Sequence, residues 1–339
     1  MSTYRALKGY SVKKVDDDPS NVQEGQVWYN NTTNKLRLRQ SIGGAWESGP
    51  SSNTLSEGPA SFGNKGALVS VGGYGPSGPS NAHSDATEEW NGSSWSTGEA
   101  YPSTKYGGQG AGTLTAGLIA GGNQSGSTYL NTSNTYDGTD YSSAPNLNKA
   151  RTGCASSIGT QTAALIHGGY DNSNPLAGQT ETEEFNGTSW SEQNDLSTGR
   201  AHGGSGGTQT AGIYFCGEST NTGTFSTRCP NTTEEYNGTS WSSGGTVPGN
   251  FTRLNGSGPQ TDCFRIGGAS PSQATSVDLY DGSSWSSASA LGTAQGWASS
   301  GGTGSTSSII SRGRGSSSYT DVTQLFSDPL ITTRSVDVS

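Results

Sequence analysis

Three pairs of neighbouring carboxylates, Glu88-Glu89, Glu183-Glu184 and Glu234-Glu235, are the residues of this chain best suited by type to acid–base chemistry. A glycosidase sets two carboxylates across a cleft, one to protonate the leaving oxygen and one to attack or to activate water. Consecutive residues of a strand point to opposite faces, so each pair is divided between two surfaces. Each pair also returns at the same place in a repeated phrase, whereas one active site needs one pair. The pairs read as structural, and no catalytic residue is expected.

The other reactive groups are scattered. His167 abuts a Gly-Gly doublet, His83 falls in a long loop, and His202 lies near the start of a strand. Imidazoles spread in this way have no metal-ligand spacing, and neither CxxC nor a DxDxDG loop occurs. No metal and no cofactor is expected. Cys154 and Cys263 fall in different repeats and read as core residues. Cys216 and Cys229 either form a local disulfide or are small buried side chains. Lys105, Arg151, Arg200 and Arg253 recur near the starts of first strands. They either ring an axis with positive charge or hydrogen-bond the carbonyls of a neighbouring repeat.

The elements that must position these groups are written in the phrase that carries the acids. It runs Glu88-Glu89-Trp90-Asn91-Gly92-Ser93-Ser94-Trp95 and returns around Trp190, Trp241 and Trp285, with a degraded copy ending at Tyr141. The spacing is 44 to 51 residues, the mark of one supersecondary unit repeated. Asn-Gly and Asp-Gly accept positive φ and signal a tight hairpin between the two aromatics. Upstream lies a second pattern, as in Gly159-Thr160-Gln161-Thr162, a short apolar run, then Gly168-Gly169. Each unit thus holds a small Gly-rich strand, an apolar strand, and the two strands of the hairpin. Four strands in a unit of this length define a β-propeller blade.

The fourth-strand aromatics are Trp46, Trp95, Tyr141, Trp190, Trp241 and Trp285. Trp46 has no repeat before it, and the last repeat has no Trp hairpin after it. The expectation is an all-β, six-bladed kelch-like β-propeller whose ring is closed by the N-terminal strand, which removes both unpaired edges. An open array of five and a half blades is the alternative. Residues 1–41 form a short N-terminal arm, 42–328 the propeller, and 329–339 a tail that pairs either with the arm or with a partner strand.

The Gly-Gly doublet followed by spaced aromatics resembles the kelch repeat over about residues 45 to 328. The wording of TEEWNGSSWS, GTQTAALIHGG and VKKVDDDPSNVQEGQVWYNNTTNKLRLRQ resembles kelch-like virion proteins of tailed marine and cyanobacterial bacteriophages. The resemblance implies a structural or tail protein of a virion, assembled in the host cytoplasm, with other phage virion proteins as partners and homo-oligomers within the particle. It carries over no site. Docking would use the arm, whose Trp28, Tyr29, Arg37 and Arg39 lie outside the repeat; the arm otherwise merely caps the ring.

Composition narrows the partners. The 339 residues carry a net charge of −9, against the basic stripe that nucleic acid requires. No apolar run reaches the ~18 residues of a membrane span, and the first residues lack the pattern of a signal peptide. Hydrophobic residues make up only 28%, and the 53 glycines fit turn-rich blades rather than disorder because the repeat is strict. The turns between strands 1 and 2 and between strands 3 and 4 barely vary. The loops between strands 2 and 3 differ in every unit, and variable loops on a rigid scaffold are where binding resides. With the neighbouring strand starts they carry Tyr74, Tyr106, Tyr129, Tyr170, Phe225, Phe251 and Trp297, beside many hydroxyls and amides. Such a face suits a host-surface glycan or protein. A purely structural decoration subunit and a glycan-degrading propeller enzyme are the alternatives.

Overall fold

The structure, a computed structural model, describes residues 12–17, 26–41, 44–77, 80–124, 128–153, 158–173, 177–220, 224–269, 272–327 and 331–336. They fall into two compact units, Trp46–Ser327 and a smaller one made of Met1–Ala45 with Asp328–Ser339.

The larger unit is all-β and compatible with a β-propeller. Among the described residues it is built of six main four-stranded sheets, numbered 1 to 6 in chain order, and in sheets 1 to 5 the strands lie side by side in sequence order. In sheet 1 these are Ala60–Asn64, Ala67–Val71, Thr87–Trp90 and Trp95–Thr97. Sheet 6 takes Ser299–Gly302, Ser307–Ser311 and Thr323–Ser327 from the end of the unit and Ala45–Gly49, with Trp46, from its start. The expected strand pattern therefore holds, including the early strand around Trp46.

Side-chain size explains how the sheets pack. First strands are glycine-rich because adjacent backbones nearly touch: a Cβ on Gly301 would lie 2.6 Å from the Gly63 carbonyl oxygen of sheet 1. Second strands bury their apolar residues between sheets. Ile213 and Phe215 of sheet 4 cluster with Cys263, Tyr280 and Trp285 of sheet 5, and Ile309 of sheet 6 clusters with Leu68, Trp90 and Trp95 of sheet 1. Each such aromatic or branched side chain contributes about 1.5–3 kcal/mol by leaving water.

Polar side chains then tie each sheet to its neighbour. In sheets 1, 2, 4 and 5 the fourth-strand ring reaches back to the first residue of the preceding sheet's third strand, whereas Trp190 of sheet 3 donates to the Pro145 carbonyl at 3.0 Å. Trp241 Nε1 donates to Thr182 Oγ1 and Trp285 Nε1 to Thr233 Oγ1, both at 2.9 Å. Trp95 of sheet 1 donates in the same way to Thr323 of sheet 6, at 2.9 Å. Trp46 faces sheet 5, where Val277 stands in place of that threonine, and its Nε1 is buried without a partner. The glutamine of the first turn has a similar role: Gln209 Nε2 donates to the Ala164 and Phe185 carbonyls of sheet 3.

Two sequence expectations need correction. The segments between strands 2 and 3 are not plain loops: Tyr74–Ser77 pairs with Ser80–His83, Asn123–Gln124 with Thr128–Tyr129, and Phe225–Arg228 is a short helix. The first strand of sheet 2, expected from Tyr106, begins at Gln109. Tyr106 instead bridges Asn123, its N–H donating to the Asn123 carbonyl at 2.9 Å, and Gly107 bonds as described below.

The smaller unit is one four-stranded sheet. Lys13–Val15 runs parallel to Val27–Asn30, which forms a hairpin with Lys35–Ser41, and Ile331–Val336 pairs antiparallel with the last of these. The C-terminal segment thus pairs with the arm, between the two partners left open by sequence.

Candidate binding site

The recurring acids are occupied by structure. The first acid of each phrase is buried and holds a buried base: Glu183 with Arg151 at 2.8 Å, Glu234 with Arg200 at 2.7 Å, Asp278 with Arg265 at 2.6 Å, and Glu88 with Arg312. Its second oxygen caps a loop; Glu234 accepts from the Ser197 N–H at 2.7 Å. Sheets 2 and 6 change both partners together. Asn134 replaces the acid and Lys105 the arginine, with Tyr101 relaying the hydrogen bonds between them; Gln324 and Gln295 pair in sheet 6. With no carboxylate beside it, burial pushes the Lys105 amine down to about 7.

The second acid of each phrase accepts a phenol from the following sheet. Tyr236 donates to Glu184 at 3.0 Å, Tyr280 to Glu235 at 2.6 Å, and Tyr136 to Glu89.

Lys105, Arg151 and Arg200 are therefore buried anchors. Arg151 also donates to the Gly168 and Glu181 carbonyls of its own sheet. Arg253 is not their counterpart: Phe251 occupies that position, and Arg265 stacks over it at 3.9 Å. Arg253 lies two residues further on, at a mouth formed by the starts of the sheets.

That mouth is built by backbone. The N–H of Gly107 donates to the Gly58 carbonyl, Gly153 to Gly107, His202 to Gly153, Arg253 to His202, Trp297 to Arg253, and Gly58 to Trp297, all at 2.7–3.0 Å. The bonds return to their starting residue and take one residue from the start of each sheet. All six residues have left-handed φ, from 51° to 67°. Glycine adopts this freely; for other residues it costs about 1–2 kcal/mol. Half of the mouth is bare glycine, and the other half carries His202, Arg253 and Trp297.

The large side chains fold over the opening. Trp297 lies edge-on to Tyr106 at 5.7 Å and to His202 at 5.1 Å, and the Arg253 guanidinium stacks on Trp297 at 4.3 Å. The ring contacts extend outward through Tyr74, His83 and Tyr170. Burial lowers the His202 imidazole to about 4, against the opposing Glu218 charge and helped by Arg253, so it is neutral at pH 7. Burial, then Glu57, raise the Tyr106 phenol well above its usual value. A cavity of about 50 Å³ lies beneath these rings, and another of about 210 Å³ opens among Gly63, Gly112, Gly159, Gly207 and Gly302 at the far ends of the first strands.

The expected loop-face residues divide. Tyr74, Tyr106, Tyr170 and Trp297 come together in this one aromatic network, although Tyr170 is buried and donates to Glu218 at 3.2 Å, so it supports the face rather than offering surface. Tyr129 and Phe225 stay apart from it; Phe225 packs under Arg228 at 5.7 Å. Phe251 is a core residue of the cluster between sheets 4 and 5, because the Arg265 guanidinium covers its ring and leaves it no surface to offer. His202, Tyr319 and Arg314 belong to the network and were not expected there, and Arg253 joins it, alone of the four recurring cations for which a ring around the axis was one reading. His167, by contrast, is fully buried against Tyr214 and Trp241 with both nitrogens unpartnered. Cys216, Cys229 and Cys263 are free and buried, and Cys154 lies outside the described residues. In the arm, Trp28 is buried, Tyr29 and Arg37 are half-buried, and the Arg39 side chain lies outside those described.

No protein-family model and no curated protein sequence matches this chain.

Proposed function

We propose that the six sheets are the blades of one closed six-bladed, kelch-like propeller, and that the chain is a non-enzymatic virion protein of a tailed bacteriophage that grips the host surface through its loop face. The cyclic run of backbone hydrogen bonds and the Trp95–Thr323 bond between the last and first sheets support closure. The kelch-like phrases, similar to those of phage virion proteins, support the class. The ion pairs and phenol bonds that occupy the recurring acids support a structural role for them.

One observation carries the binding reading. His202, Arg253 and Trp297 hold left-handed backbone where glycine would be relaxed, and all three crowd one side of one opening. Strain kept by large side chains at a shared mouth points to a use for those side chains. The arm docks to other virion proteins through Tyr29, Arg37 and Arg39, with the buried Trp28 holding its sheet together rather than meeting a partner, and copies associate within the particle.

The test replaces all three residues with glycine. The variant keeps or raises its melting temperature and loses adsorption to susceptible cells. Undiminished adsorption, or a cryo-EM map of the particle with the loop face buried against other virion subunits, sinks the host-binding reading in favour of a decoration subunit.

A further inference from the structure

Beside the aromatic mouth, a cavity of about 270 Å³ is bounded by Glu57, Arg253, Gln273, Trp297, Arg314 and Ser316. It falls just below the ~300–1,000 Å³ of pockets for drug-sized ligands, which leaves room for about one ring. Its walls are almost entirely polar side chains, with Trp297 as the aromatic surface.

We propose that this cavity binds a single uncharged pyranose ring, the terminal unit of a surface glycan. This rests on the surface-binding reading above and supplies its ligand class.

Charge balance selects the class. Arg314 Nη1 lies 3.4 Å from Glu57 Oε2, and Arg253 Nε lies 3.8 Å from Glu218 Oε1, so two cations meet two anions. Both guanidiniums are part-exposed, whereas both carboxylates are buried. An anionic ligand would have to sit beside Glu57, whose carboxyl burial already raises in pKa despite Arg314 and Arg253. A cationic ligand would meet two guanidiniums. An apolar ligand would strip both part-exposed guanidiniums of water without replacing its hydrogen bonds. Vicinal hydroxyls both donate and accept, so they bridge a carboxylate and a guanidinium that face the same space.

The walls are also set in advance. Trp297 is held by Tyr106, His202 and Arg253, and Arg314 stacks on Tyr319 at 5.0 Å. A ring of C–H bonds can lie against the indole while its hydroxyls meet the charged groups. Fixed side chains cut the ordering cost of binding so small a ligand.

Saturation-transfer NMR on the intact protein tests the proposal with methyl glucoside, methyl galactoside and methyl mannoside, beside glucuronic acid and glucosamine. At least one neutral glycoside should receive transfer several-fold more strongly than either charged sugar. Trp297→Gly, which keeps the left-handed backbone, and Arg314→Ala should each abolish that signal; Tyr129→Ala should leave it intact. Near-ultraviolet circular dichroism establishes that each variant is folded, and Glu57→Gln, a conservative change, serves as a further variant expected to weaken the signal. Silence from all three neutral glycosides, equal transfer to glucuronic acid, or a signal that survives Trp297→Gly and Arg314→Ala overturns the proposal. Adsorption to cells without any sugar signal overturns the ligand class and leaves surface binding standing. A sugar signal without adsorption supports the cavity and removes the host-binding reading.

Discussion

Glu89, Glu184 and Glu235 each face a tyrosine of the next sheet, and where the facing ring has no hydroxyl the glutamate is gone. Thr135 faces the sheet of Phe185, Leu279 that of Phe326, and Leu325 that of Trp90. A half-buried carboxylate without its donor would lose a hydrogen bond of about 1.5–3 kcal/mol, enough to fix both members of a pair. One position lacks such a match. Trp46 Nε1 is buried without an acceptor because Val277 supplies none. Val277→Thr should raise the urea midpoint by about 1 kcal/mol of stability, the worth of one restored hydrogen bond. An unchanged or lowered midpoint would show that the hydroxyl fails to reach the indole. His167 gives a pH signature. Burial, then Arg200 and Arg151, depress its imidazole to about 3 from 6.5, so the neutral form is the folded one. Its contribution is complete above the unfolded value and is lost as pH falls towards 3. Stability should drop by about 1.4 kcal/mol per pH unit below 6.5 from this group. His167→Phe should flatten that slope in denaturation curves taken across the range.

At the scale of elements, strand and hairpin were legible where backbone chemistry is local. Asn-Gly and Asp-Gly turns were found because the side chain itself closes the turn: Asn186 Oδ1 accepts from the Thr188 and Ser189 N–H groups at 3.0 and 2.9 Å. The extra hairpin Tyr74–Ser77 with Ser80–His83 was not legible, since glycine and proline interrupt any alternation there. The partners of the buried acids were half legible. Arg151 and Arg200 recur before first strands, but Arg265 reaches the equivalent pocket from within a second strand and Arg312 from just after one, so linear spacing hides the equivalence. Sheet 6 has already replaced the ion pair with Gln295 and Gln324, which yields a direct experiment. Arg200→Gln alone should cost about 3–5 kcal/mol by leaving Glu234 buried and unpaired. Adding Glu234→Gln should restore more than half of that loss in urea titrations. If the double variant is no more stable than the single one, the charge itself, and not its neutralisation, is what the sheet requires.

At the scale of the whole molecule, the strand Ala45–Gly49 completes a sheet whose other three described strands come from the opposite end of the chain. Trp46 from this strand packs on Phe326 at 5.3 Å and Phe264 at 6.3 Å. Removing residues 1–49 should expose those rings and an unpaired strand edge, which promotes association. The expected outcome is a lower melting temperature and oligomers or aggregates by size-exclusion chromatography with light scattering. A monomer melting as the full chain does would favour an open array. The early tryptophan was legible as a displaced fourth strand because the phrase around it matched the others. The mouth was only partly legible: Trp297 was expected on the loop face and Arg253 was offered as part of a ring around an axis, but nothing in linear spacing joined them to His202, because hydrogen bonds between the starts of different sheets leave no mark on the sequence.

The bonds around that mouth join peptide groups, which every residue except proline can supply. What keeps the six starts together thus asks of a side chain only that its residue hold left-handed φ, freely for glycine and at a modest cost for others. Selection can rewrite the chemistry displayed at the centre, one position at a time, while the scaffold is inherited unchanged. A lineage pressed to follow a changing adversary would find its variation confined to where variation is tolerated.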